Sequence, residues 1–278
     1  MLKIPTMNEW WRLSKEFPSF RNQTITLLKD FGYLEIFAHI RENRPARILE
    51  FGHGFNPGLF EFTKADPDSE VWGIDDFQNL SYFTNDRTKW MDDHKRLLAD
   101  KFPNVHFVHG LLGDPQALSG KLPENYFDLV CSVSVLEEVP AEVMTKILSH
   151  CCRLLRPGGI LLNTHDIRFG DRNRARQFVE AHRTAGFACD LTPAEKALLE
   201  FKSADFTQVI LETPTHVMLY YQQTEGEERK YWGHFTTLLM KLRKEDCLPP
   251  QKNSHRGTGT LIKKCLGKAK DLLYPGVR

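Results

Sequence analysis

Arg47-Ile48-Leu49-Glu50-Phe51-Gly52-His53-Gly54-Phe55-Asn56-Pro57-Gly58 is the stretch that decides the fold. Its short apolar run, 47–51, reads as a strand that ends in a glycine cluster, with a helix expected over 57–65. Glycine permits positive φ and lets a ligand approach the backbone closely. The N-terminus of the following helix adds partial positive charge. A lone G-x-G turn also serves plain strand-to-helix connections, so the flanking elements carry the decision.

Downstream, Glu70-Val71-Trp72-Gly73-Ile74-Asp75 reads as a second strand, with Asp75 placed 23 residues after Gly52. A polar helix over 85–101 leads to the strand at 104–110, and a continuous apolar strand follows over 126–136. A helix over 140–155 ends at Arg156-Pro157-Gly158-Gly159, and 159–165 returns as a strand. A helix over 172–185 precedes two late strand-like segments, 185–191 and 209–222. Upstream, Ile25, Leu28, Phe31, Leu34, Phe37 and Ile40 recur at helical spacing until Pro45 closes the element. Strands alternating with helices indicate parallel βαβ units, and continuous apolar strands indicate a sheet covered on both faces. The expected fold is doubly wound α/β: a mostly parallel seven-stranded sheet, helices on both faces and an antiparallel C-terminal hairpin. The expected organisation is a helical cap over 1–44, a ligand-binding domain over 45–235 and a basic helical tail over 236–278.

With 278 residues, 41% hydrophobic and 26% charged, the chain suits one globular domain with a small attachment. No apolar run approaches the ~18–20 residues of a membrane-spanning helix, and the first residues lack the apolar core of a secretory signal. The six cysteines form no C-x-x-C pair and three sit in apolar segments, which points to reduced thiols, a cytoplasmic setting and no structural metal. The net charge of +1 hides an asymmetry: 241–278 holds ten Lys/Arg against three Asp/Glu, so the remaining body is mildly acidic. Within that tail, 261–273 is amphipathic at helical spacing. It could contact an acidic protein or an anionic membrane surface, or dock on its own domain.

In order and spacing these segments resemble the class I S-adenosylmethionine (SAM)-dependent methyltransferase family. The resemblance runs from Arg47 to His165, with weaker support to Tyr221. Glu50 to Gly54 is similar to the family's first motif, an acid before a glycine-rich turn. Asn104 to Gly110 is similar to its strand leading to the adenine pocket, and Phe127 to Glu137 to its fourth strand and following turn. Leu154 to Gly159 looks like its turn before strand five. The resemblance implies SAM as cofactor, held by Glu50, Gly52, His53, Gly54, Asp75, Asp76, Gly110, Leu111, Ser132 and Ser134. An acid at position 75 would accept hydrogen bonds from ribose hydroxyls. Pro57 stands where a pyrophosphate-binding fingerprint would require glycine, which separates the chain from nicotinamide dehydrogenases. Asn56 stands where the family often has a third glycine, and Glu138 where a histidine is common.

Methyl transfer is an in-line displacement, so positioning supplies much of the rate; a hydroxyl acceptor must also lose its proton. Candidate bases lie after the fifth strand, where His165 is the expected base, with Asp166 orienting it or binding the acceptor; Glu137 with Glu138 is the second choice. Tyr231, Trp232 and His234 could wall an acceptor pocket. The acidic body disfavours nucleic acid and fits a small molecule or a sugar or glycan hydroxyl. Two other readings stay open: a catalytically silent SAM-fold scaffold, and an aminopropyl transferase, for which Glu137 and Glu138 would meet a polyamine.

Overall fold

The computed structural model describes residues 1–20, 27–54, 56–64, 68–77, 87–114, 118, 120–201, 209 and 235–244. In chain order the elements are β1 (Leu2–Lys3), α1 (Met7–Glu16), α2 (Leu27–Asn43), β2 (Arg47–Phe51), α3 (Gly58–Lys64), β3 (Glu70–Asp75), α4 (Arg87–Lys101) and β4 (Val105–His109). Then follow β5 (Phe127–Val133), a 3₁₀ turn (Leu136–Glu138), α5 (Ala141–Leu154), β6 (Leu155–Arg168), α6 (Arg172–Thr184), α7 (Pro193–Leu199) and β7 (Phe235–Arg243).

The sheet has seven strands in the order β1-β7-β6-β5-β2-β3-β4. Strands β4, β3, β2, β5 and β6 run parallel, whereas β7 is antiparallel to β6 and β1 antiparallel to β7. The doubly wound, mostly parallel architecture is the expected one. Its antiparallel edge is built differently. Residues 185–191 form no strand; Phe187 makes only a single bridge, to Lys244. The segment 209–222 lies outside the described residues except for Val209, which bridges to Thr6. The strand beside β6 is instead Phe235–Arg243, at the start of the expected tail, and β1 pairs with it. From residue 245 onward the tail lies outside the described residues. The expected N-terminal cap is helical through α1 and α2, and it also supplies β1 to the sheet.

Strand alternation divides the interior. Leu49, Phe51, Val130, Leu161 and Leu238 pack with Val143, Ile147 and Phe178 of α5 and α6. Ile48, Leu129, Cys131, Leu162 and Leu239 pack with Phe31, Leu34 and Phe37 of α2. At the end of the sheet away from the ligand edge, Asp128 accepts from the Arg47 backbone N–H at 2.9 Å and from the Arg156 guanidinium. That pair clamps the Arg156–Gly159 turn onto β2 and β5. Gly159 admits no side chain there, because a Cβ would lie 2.9 Å from the Arg156 carbonyl. Parallel order reverses between β3-β2 and β2-β5, and open α/β sheets bind ligands at the carboxyl ends beside such a switch point.

Candidate functional site

The glycine turn leaves β2 at that switch point. Gly52 and Gly54 hold φ of +69° and +54°, in the left-handed region that glycine enters freely. A Cβ at Gly52 would lie 2.5 Å from Val135 Cγ2, so the turn after β5 closes directly on the turn after β2. Asp75, ending β3, orders the same loop. One carboxylate oxygen accepts from Gly54 N–H at 2.8 Å and the other from Phe77 N–H at 2.5 Å. Burial raises the Asp75 pKa and these two donors oppose the rise. Its backbone carbonyl takes the Gly110 N–H at 3.1 Å, tying the end of β4 to the site. Asp76 and Leu111 flank these groups half-buried.

Glu50 sits on β2 facing α2, 1% exposed. The Tyr33 hydroxyl of α2 donates to its Oε1 at 2.9 Å, while Oε2 is buried without a hydrogen-bond partner. Burial pushes the Glu50 carboxyl up to about 8; the Tyr33 hydrogen bond opposes this and nearby Asp75 adds to it.

Beyond β5, Ser134 adopts φ +54°, costly for a residue with a Cβ, and its Oγ is buried without a partner. The 3₁₀ turn then brings Glu137 beside Asp166 of β6. Burial pushes the Glu137 carboxyl well above its ordinary range, and the Asp166 and Glu138 carboxylates push it further. Arg174 of α6 fixes the turn by donating to the Glu137 carbonyl at 2.9 Å.

Three expected positions are placed otherwise. His165 is 0% exposed and stacks on Phe178 of α6, with centroids 4.1 Å apart. Alternation along β6 turns His165 toward α6 and Asp166 to the opposite face, so the two do not form the expected base-and-partner pair. Burial holds its pKa well below the ordinary histidine value. His53 is 4% exposed and packed edge-on against Phe60, Phe77 and Phe107, so it shapes the loop from beneath. Ser132 is wholly buried within β5. Glu50, Gly52, Gly54, Asp75, Asp76, Gly110, Leu111, Ser134, Glu137 and Asp166 lie at the carboxyl ends of β2 to β6. Tyr231, Trp232 and His234 lie outside the described residues. Two residues enter the site unannounced by the sequence: Tyr33, and His94 of α4, which reaches the Gly54 backbone and the Asp75 charge.

Residues 49–163 match a family model described as a methyltransferase domain. Over that segment, less than half of the chain, the protein carries a methyltransferase domain, for which SAM is the methyl donor. No curated protein matches the sequence. Among solved structures, 1,6-didemethyltoxoflavin-N1-methyltransferase of Burkholderia thailandensis is 18% identical with a TM-score of 0.44, covering 88% of this chain and 92% of that one. Phosphoethanolamine N-methyltransferase 2 of Haemonchus contortus is 18% identical at TM-score 0.41, covering 72% and 48%. The [4+2]-cyclase SpnF is 16% identical at TM-score 0.44, covering 86% and 94%.

The residues present fit the cofactor. SAM carries an ammonium, a ribose and no phosphate. The unpartnered Glu50 Oε2 suits the ammonium, the Gly52 and Gly54 backbone can be approached closely because the His53 side chain packs beneath the loop, and the Asp75 carboxylate is an acceptor of the kind that ribose hydroxyls require. Among the described residues, no helix is long and apolar enough to cross a membrane.

Proposed function

We propose that the methyltransferase domain methylates a hydroxyl of a small molecule, a sugar or glycan hydroxyl included, with Glu137 accepting the proton. The observation that carries this reading is the Glu137–Asp166 pair at the carboxyl ends of β5 and β6, two residues beyond the Val135 that closes on Gly52. Bound SAM supplies an electrophilic methyl on a positive sulfur. A carboxyl with raised pKa is suited to take a proton near neutral pH, and a positive ligand nearby favours its ionised form. Asp166 keeps the pair from ionising twice at low cost, so one member holds a proton while the other receives one. Arg174 holds the Glu137 backbone, which fixes where the carboxyl points. His165 supports this arrangement from inside by packing on Phe178.

SAM with a deuterated methyl group, incubated with the protein and a cell metabolite extract, tests the reading by mass spectrometry. The expected result is label on the oxygen of a small molecule, lost in Glu137→Gln. Label on protein or nucleic acid instead, or on nitrogen or carbon, overturns the acceptor assignment. SAM binding with no transfer to any fraction favours a silent scaffold. For the basic tail we propose peripheral contact with an acidic protein or membrane surface, supported by seven basic against three acidic residues over 245–278; unchanged partitioning onto anionic vesicles after deletion of 245–278 would exclude the membrane.

A further inference from the structure

Tyr33 is the least expected member of the site. It lies on α2, ahead of the matched segment, and is 6% exposed. Its hydroxyl spends its donor on Glu50 Oε1 at 2.9 Å, and the second oxygen of that carboxyl has no partner. A buried carboxylate with one hydrogen bond is poorly stabilised, and a buried carboxyl in such a place tends to stay protonated until a cation arrives. We propose that Tyr33 and Glu50 form a proton-coupled clasp for the amino-acid end of the cofactor, in which Tyr33 is the positioning residue. Glu50 holds a proton in the cofactor-free protein and gives it to solvent when the cofactor's ammonium engages Oε2; the O–H bond of the carboxyl breaks, the ammonium keeps its protons, and one proton leaves per molecule bound. Tyr33 keeps Oε1 in place and lowers the cost of the ionised form.

The groups facing Glu50 agree with this coupling. From α2 comes Tyr33, itself pushed well above its ordinary value by burial and by Glu50. From β3 comes Asp75, whose charge disfavours ionisation of Glu50, and from β5 the Cys131 thiol, buried and raised. Among these described neighbours none is a cation, so the ionised form has to draw its counter-charge from the ligand. The clasp rests on the reading of SAM as cofactor, and the experiment separates the two.

Isothermal titration of SAM in buffers of different ionisation enthalpy counts the protons exchanged. With the Glu50 carboxyl near 8, wild type is expected to release about 0.9 proton per SAM at pH 7, and to bind SAM progressively more weakly as pH falls. Glu50→Gln should release none. Tyr33→Phe should bind roughly tenfold to a hundredfold more weakly at pH 7 and move the inflection of affinity to higher pH. A tyrosine that only packs would leave the inflection unchanged, and that outcome overturns its positioning role. Wild type that binds SAM with no proton release overturns the clasp and leaves the cofactor reading standing. Wild type that does not bind SAM overturns both. Should Tyr33→Phe melt below the assay temperature, the wild-type and Glu50→Gln proton counts decide the coupling.

Discussion

Replacing His165 with leucine distinguishes a buried packing residue from a catalytic base. The imidazole is fully enclosed, and neither Nδ1 nor Nε2 has a hydrogen-bond partner. A neutral imidazole left this way carries a donor and an acceptor stripped of water, each costing about 1–3 kcal/mol. Leucine removes both at similar bulk. It also gives up the stacking on Phe178, worth about 0.5–1.5 kcal/mol. The net expectation is a gain of about 1–2 kcal/mol, read as a rise of a few degrees in Tm. His165→Ala leaves a cavity instead and should lose about 2–4 kcal/mol. Label transfer per folded molecule should be kept in both. A positioned base typically contributes about 10²–10⁴-fold. A His165→Leu protein that melts at or above wild type yet transfers a hundredfold more slowly would refute the reasoning and restore His165 as base.

Gly52→Ala places a Cβ at positive φ and against Val135, a strain of about 1–2 kcal/mol before any repacking, so titration should show SAM bound more weakly by tenfold or more while circular dichroism stays that of a folded protein. Asp75→Asn keeps one acceptor but loses the charge that holds the Gly54 and Phe77 amides, and SAM affinity should fall by roughly tenfold; unchanged affinity would remove Asp75 from the site. Glu137→Gln should lower kcat by about 10²-fold or more with SAM affinity nearly unchanged. His182 is fully buried, donates from Nδ1 to the Phe178 carbonyl at 2.6 Å, and burial holds its pKa down to about 4. A histidine with a lowered folded pKa contributes stability that is present above its unfolded value near 6.5 and lost as pH falls toward 4. Denaturant unfolding at pH 7 and pH 5 should therefore differ by about 2 kcal/mol more in wild type than in His182→Gln.

The central sheet was legible because strands covered on both faces are written as unbroken apolar runs, and because the intervening helices end in strong signals such as Arg156-Pro157-Gly158-Gly159. Asp75 and Gly52 were legible for the same reason: the end of a strand in such a sheet is also the ligand edge. The antiparallel edge was not. β1 is two residues long, too short for any period, and β7 follows a polar stretch and leads into the basic tail. Helix α7 is only seven residues long and lacks a clear apolar period, although Thr192-Pro193-Ala194-Glu195 carries a capping box that the structure realises. His165 shows what sequence position leaves out. It lies near the carboxyl end of a strand, but a strand sends alternate side chains to opposite faces, and only packing against α6 reveals which face His165 takes. Tyr33 was hidden for the converse reason. Helical spacing marks the apolar face of α2, whereas the function of Tyr33 lies in a hydroxyl whose partner is a strand away.

The central claim is a SAM site built on the Gly52–Gly54 turn, and equilibrium dialysis of labelled SAM against wild type and Gly52→Val tests it most directly. The account predicts one site per chain in wild type, displaced by S-adenosylhomocysteine, and its loss in a folded Gly52→Val protein. Wild type without saturable binding, or Gly52→Val binding as tightly as wild type, would contradict it.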